Sequence, residues 1–272
     1  MNGEKATKRR ILSGLAAQFD PIGFFTPILL QGKLLMRDLH KDKFVWDTIV
    51  DDTSLKRFQT FIEECSKLSE IKIPRAKIRK GKVQLHAFSD ASKIAYGAIV
   101  FATQGEVTQF LVSKSKLAPQ KELSIPKLEL TALLLSSRLL KYCEETYGEE
   151  LQVTEVHMHG DSSVANGWLT SNKLVPAYVE NRRNEIRQNV PHAYLHHIDG
   201  KTNPADVLSR GTTVSKLIDM PLWWNGPEVI LRENPKDVRI GDYTKEFAGN
   251  ILEKHDSAVI NSIIERLSLI HI

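Results

Sequence analysis

Residues 83–101 read VQLHAFSDASKIAYGAIVF, and this stretch decides the fold. Val83, Leu85 and Ala87 alternate with Gln84, His86 and Phe88, the period-2 pattern of a half-buried strand. Ser89, Asp90, Ala91 and Ser92 supply small, turn-forming residues. Tyr96 to Phe101 is a near-continuous apolar run of the kind found in a central strand. The stretch therefore predicts two strands joined at a tight turn. Asp90 falls where the first strand ends. A carboxylate at the rim of an apolar sheet is either a turn residue or the first ligand of a metal site.

Working outward, Gln104-Gly105 makes a turn into a third strand near Val107–Ser113, close enough in sequence to pair antiparallel. The strongest helical pattern is 124–147, with Ser124 available as a cap, Pro126 in the first turn and Gly148 as a stop. It is apolar nearly all round, which predicts burial against the sheet. A fourth strand is expected at 153–159. Asp161-Ser162-Ser163 opens a helix through Leu169, and 176–189 forms another behind Pro176. Ala193–Ile198 reads as a fifth strand. Asn203-Pro204-Ala205-Asp206 starts a short helix that Gly211 ends. The order β-β-β-α-β-α-α-β-α combines an antiparallel start with a crossover and later parallel strands. It predicts an α/β fold with a five-stranded mixed sheet and flanking helices.

Upstream, residues 8–40 are helical in character but broken at Asp20-Pro21 and Thr26-Pro27, so helix, turn, helix is expected. Asp51 to Leu68 is a further helix, with Asp52, Thr53 and Ser54 as candidate caps. Residues 71–82, IKIPRAKIRKGK, are a basic connector that marks a boundary. The expected organisation is a mostly helical region over 1–81, an α/β domain over 82–212 and a weakly patterned tail over 213–272. No internal repeat is present.

Apolar content of 42% and charged content of 26% are those of a globular protein, and no run of about 18 apolar residues suggests a membrane span. The two cysteines, Cys65 and Cys143, lie far apart, which argues for a reducing, intracellular setting (cytoplasm or nucleus) and against a cysteine-built zinc site. A net charge of +4 permits a polyanionic partner.

Four carboxylates stand where such a fold could use them: Asp90, Glu129 in the buried helix, Asp161 after the fourth strand, and Asp206 opening the last helix. Singly, the aspartates have ordinary explanations as turn or capping residues, or as first-turn charges that suit the helix dipole. Glu129 is harder to dismiss, because Leu128, Leu130, Leu133 and Leu134 surround it in sequence. A carboxylate drawn into such an interface is costly unless paired or metal-bound. Together, four carboxylates without a histidine or cysteine cluster make a hard-ligand set suited to Mg²⁺ or Mn²⁺. Two such ions about 4 Å apart can activate a water and stabilise the leaving oxygen of a phosphodiester.

The strings SDAS at 89–92 followed by AYGAIV, SIPKLEL at 124–130, GDSS at 160–163 and NPADVLSRG at 203–211 resemble the ribonuclease H domain of retroelement polyproteins, in wording closest to BEL/Pao-type retrotransposons. The resemblance extends over about residues 8–230. It implies that Asp90, Glu129, Asp161 and Asp206 are the metal-binding, catalytic carboxylates and that the substrate is an RNA/DNA hybrid. Residues 8–40 and the following VWD resemble the thumb and connection that follow a polymerase palm, and LWWNGPEVI resembles a segment leading to an integrase. On this reading the palm and integrase are missing partners, the ending LSLIHI at 267–272 suggests a truncated copy, and an active element would place the chain in a virus-like particle.

Three departures qualify the resemblance. No Tyr-x-Asp-Asp polymerase motif is present; Ile49-Val50-Asp51-Asp52 lacks the tyrosine and reads as a helix cap. The loop Asp199-Gly200-Lys201-Thr202 lacks the histidine many ribonucleases H carry there, and His196 and His197 read as structural. The family is also filed as a peptidase, yet Asp52-Thr53-Ser54 and Asp161-Ser162-Ser163 both lack the glycine an aspartic protease loop requires. A non-catalytic nucleic-acid-binding remnant is the main alternative to an active nuclease.

A hybrid is held mostly through phosphates and 2′-hydroxyls. Lys173, Arg182, Arg183 and Arg187, and Arg75, Lys77, Arg79, Lys80 and Lys82 before the first strand, are candidate phosphate contacts. Ser92, Ser162 and Asn203 adjoin the carboxylates and are candidate polar contacts to the substrate. Trp168, Trp223 and Trp224 read as packing residues.

Overall fold

The computed structural model describes residues 5–73, 77–148, 150–231 and 238–243. Arg75 and the 267–272 ending lie outside the described residues.

The chain begins with three helices. Helix α1 (Lys8–Ala16) is capped by the Thr7 hydroxyl, which accepts from the Arg10 N–H. The Asp20 carboxylate accepts the Phe25 N–H at 2.9 Å and steers the turn into α2 (Thr26–Lys41), where Pro27 sits in the first turn. Helix α2 buries Ile28, Leu30, Leu34, Leu35 and Leu39. Helix α3 (Asp52–Ser66) is capped one residue earlier than the sequence pattern suggests: Asp51 accepts the Ser54 N–H at 2.8 Å.

The sheet follows. Strands β1 (Gly81–Ala91), β2 (Ala95–Gln104) and β3 (Val107–Leu117) pair antiparallel in sequence. Helix α4 (Ile125–Tyr147) crosses to β4 (Leu151–Gly160), which pairs parallel with β1. Helices α5 (Ser163–Leu169) and α6 (Ala177–Asn189) lead to β5 (Tyr194–His197), parallel to β4. The strand order is β3-β2-β1-β4-β5, which makes β1 central. Short helices α7 (Asp206–Arg210), α8 (Val214–Ile218) and α9 (Pro221–Asn225) complete the described fold. This is the five-stranded mixed sheet with flanking helices, behind a helical region, that the sequence pattern predicts.

Two local differences matter. Strand β1 runs on through Ser89, Asp90 and Ala91, which pair with Ala98, Gly97 and Tyr96. Asp90 is therefore a residue at the end of a strand and not a turn residue, held in the ladder opposite Gly97. Ser124 occupies the N-cap of α4, but its hydroxyl makes no capping bond.

Each face of the sheet has its own core. Leu85, Ala87, Val100, Val156 and Met158 pack against Leu130, Leu133 and Leu140 of α4. On the other face Phe88, Ile99, Phe101 and Phe110 meet Leu208 of α7, Leu217 of α8, Trp223 of α9 and Ile28 of α2. One apolar cluster thus joins the helical N-terminal region, the sheet and the segment beyond residue 212. The Ser113 N–H donates to Ile22 O at 2.9 Å, so the chain before α2 covers the edge of β3. Gly23 permits this approach: its φ is +85°, and a Cβ there would lie 2.2 Å from Ser113 O.

Candidate active site

The register of the parallel pair places the first two carboxylates. Ser89 pairs with Gly160, so Asp90 and Asp161 leave adjacent strands side by side at one edge. Helix α4 crosses β1 and β2 with Glu129 in its second turn, and Glu129 Oε1 accepts the Ala91 N–H at 3.2 Å. Asp90, Glu129 and Asp161 each bring a carboxylate oxygen within 4.8 Å of the others. Asp90 is 3% exposed and Glu129 7%.

Burial and mutual repulsion both favour the protonated forms. Burial first, then the Asp161 and Asp90 charges, push the Glu129 carboxyl up to about 9. Burial also raises Asp90, to about 6, against the pull of a hydrogen bond from Ser209. Asp161 is raised chiefly by burial. The Asp161 Oδ1 is buried without a hydrogen-bond partner. Three converging hard oxygens, destabilised in their charged forms, with one orphaned acceptor, fit a divalent cation.

Asp206 opens α7 beside this group. It stands outside the 4.8 Å cluster, and its Oδ1 accepts from Arg210 Nε at 2.6 Å. Its charge still raises Asp90 and Asp161, and it shares a cleft with Asp161, Asp199, Asn203 and Arg210.

The candidate substrate contacts divide. Lys173 is exposed on the loop after α5. Arg182 lies 3.4 Å from the centre of the Tyr178 ring and donates to Thr131 Oγ1 at 3.1 Å. Arg183 is not a surface cation: it is 1% exposed, donates to Ser171 O at 2.9 Å and Lys173 O at 3.0 Å, and pairs with Glu180. Its place four residues after Val179 and three before Ile186, both buried, puts it in the core stripe of α6. Arg187 is likewise buried and donates to Leu169 O and Ser171 O. Asn203 is buried, its amide donating to Ser89 O at 2.9 Å and accepting the Ala205 N–H at 3.0 Å. Ser162 caps α5 through the Ala165 N–H. Ser92 organises the β1–β2 turn and donates to Ser209 O at 2.7 Å. Lys77, Arg79, Lys80 and Lys82 are exposed.

The tryptophans pack as expected: Trp223 is fully buried, and Trp224 donates to Leu217 O. His196 stacks on buried His159 and lies 2.9 Å, ring nitrogen to ring nitrogen, from buried His157, and His86 stacks on both buried rings. Exposed His197 draws the Asp161 carboxyl downward. Asp52, the other half of the peptidase reading, is exposed at the start of α3. Sequence reading missed Ser209, which donates to Asp90; the signal was its spacing one helical turn after Asp206.

The profile of the family described as Pao retrotransposon-like RNaseH-like domain matches residues 7–162. Ribonuclease H1 from Halobacterium salinarum is 14% identical, with a TM-score of 0.36 over 48% of this chain and 96% of that one. LC11-RNase H1 in complex with an RNA/DNA hybrid is 19% identical, with a TM-score of 0.36 over 50% and 99%. A foamy viral protease-reverse transcriptase bound to double-stranded DNA is 8% identical, with a TM-score of 0.41 over 70% and 41%. No curated protein matches.

Proposed function

The chain belongs to the Pao retrotransposon-like RNaseH-like domain family, a nuclease-type hydrolase, and from that premise we propose that it cleaves the RNA strand of RNA/DNA hybrids. The observation that carries this reading is the convergence of Asp90, Glu129 and Asp161 within 4.8 Å. These three would hold two Mg²⁺ or Mn²⁺ ions, with Asp206 contributing from α7. The ions would supply an activated water and charge stabilisation at the leaving oxygen, leaving a 3′-hydroxyl. The protein's part is to hold three carboxylates together despite their repulsion, release the proton from Glu129 when cations arrive, and keep Asp206 oriented through Arg210. Exposed Lys173 and the exposed Lys77, Arg79, Lys80 and Lys82 are candidates to meet substrate phosphates, and Arg182, held by Tyr178 and Thr131, is a preorganised one.

The test is Mg²⁺-dependent cleavage of a labelled hybrid by the wild type and by Asp90→Asn. Outer-shell changes at metal sites cost about 10–100-fold, so loss of a direct ligand should cost at least about a hundredfold. Equal activity in the two proteins would sink the assignment. Hybrid binding without cleavage at any Mg²⁺ or Mn²⁺ concentration would favour the non-catalytic remnant. No helix among the described residues is long and apolar enough to cross a membrane.

A further inference from the structure

Helix α7 has only five residues, too few to be stable alone, yet the sheet holds it at three points. Ser92 Oγ, in the β1–β2 turn, donates to Ser209 O at 2.7 Å. Ser115 Oγ, on β3, donates to Leu208 O at 2.9 Å. Gly97, on β2, leaves the gap into which Leu208 fits; a Cβ there would lie 2.3 Å from Leu208 Cβ. The two hydroxyls satisfy carbonyls that a helix C-terminus leaves without intrahelical partners.

The result of this docking is specific. Ser209 is fully buried and its hydroxyl donates to Asp90 Oδ2. A buried serine on a helix has an ordinary local acceptor three residues back, and Asp206 O lies at 3.1 Å from this hydroxyl. The approach to Asp90 is therefore not needed to satisfy Ser209. It serves the carboxylate.

We infer that Ser209 is a positioning residue for the metal site: its hydroxyl fixes the rotamer of Asp90 and leaves the other carboxylate oxygen for the cation. This rests on the proposed ribonuclease H reading for the identity of the cation, but not on cleavage. The spacing Asp206 to Ser209 is one helical turn, so a single short helix delivers a carboxylate to the cleft and an orienting donor to the central strand. Ser92 belongs to this assembly as the clamp on α7.

The experiment measures Mn²⁺ binding to the whole chain without substrate, by calorimetry and electron paramagnetic resonance, for wild type, Ser209→Ala and Ser209→Thr. Ser209→Ala removes the donor and little volume, so melting temperature should stay near that of wild type. Mn²⁺ affinity should fall about 10–100-fold, the usual cost of losing an outer-shell partner. Threonine should restore most of it. In an Asp90→Asn background, Ser209→Ala should add no further loss, because the donor then has no ligand to orient. With hybrid present, excess Mn²⁺ should recover cleavage by Ser209→Ala at unchanged KM. Wild-type Mn²⁺ affinity in Ser209→Ala would overturn the inference, as would a loss that threonine fails to restore with the fold intact. Normal Mn²⁺ binding by a wild type that cleaves no hybrid would defeat the ribonuclease H reading while leaving this comparison decisive.

Discussion

Glu129 shows how a single residue reports on a site. Its carboxyl is held up at about 9 by burial and by the neighbouring Asp161 and Asp90 charges, so without cations it keeps its proton at pH 7. A carboxyl with a raised native pKa binds more protons folded than unfolded, so its contribution to stability is lost as pH rises from about 4.5 toward 9. Buried His86 behaves oppositely: burial and the neighbouring imidazoles hold it well below 6.5, so the unfolded chain binds more protons below that pH and stability is lost on acidification. The cation-free protein should therefore show a melting temperature that falls on both sides of a mildly acidic maximum. Glu129→Gln should flatten the alkaline limb between pH 6 and 9. Saturating Mg²⁺ should raise the wild type at pH 8 by at least a few degrees, about 2–4 °C per kcal/mol for a chain of this size, and leave Glu129→Gln unmoved. Thermal melts across pH decide it; an alkaline limb that survives in Glu129→Gln would show that the carboxylate cluster is not its source.

Helix α7 carries the site at the level of elements. It bears Asp206 and Ser209 and rests on β2 at Gly97, so its placement sets where the Asp206 carboxylate and the donor to Asp90 stand. Gly97→Ala would force the helix outward, because the colliding atom is the Cβ of Leu208 and cannot swing away. Overpacking of this kind costs about 1–3 kcal/mol. The expected outcome is a lowered melting temperature together with weaker Mn²⁺ binding. Destabilisation with Mn²⁺ affinity intact would mean that α7 does not set the metal site. Among the elements, what sequence reading anticipated was the order and type of the strands and long helices, whose periodicity is a local property. It could not foresee that β1 continues through Asp90, because that is set by ladder pairing with Ala98, Gly97 and Tyr96 of β2 and not by a local pattern.

For the whole molecule, the convergence of Asp90, Glu129 and Asp161, three of the four carboxylates the sequence singles out, was legible because each stands at a chain feature that sequence marks: the end of a strand, a covering helix, the residue after a strand. What escaped was long-range. Ser209 meets Asp90 across 119 positions, and Asn203 meets Ser89 across 114, so neither contact leaves a local pattern. Arg183 was open to the right reading, since its spacing from Val179 and Ile186 is that of a core residue, but charge suggested a surface. Its burial removes it from the candidate phosphate contacts, among which Lys173 and the Lys77, Arg79, Lys80 and Lys82 cations before β1 are exposed. The N-terminal helices share an apolar cluster with the sheet through Ile28, and Lys33 Nζ donates to Ser115 O at 3.1 Å, so this region braces β3, on which α7 in turn depends. Asp90, Glu129 and Asp161 gather at one end of the sheet, and anomalous scattering from crystals of the whole chain soaked in Mn²⁺ tests their role most directly. Mn²⁺ peaks should lie within about 2.2 Å of carboxylate oxygens of Asp90, Glu129 and Asp161 and disappear in Asp90→Asn; Mn²⁺ bound elsewhere, with that cluster empty at saturating concentration, would contradict it.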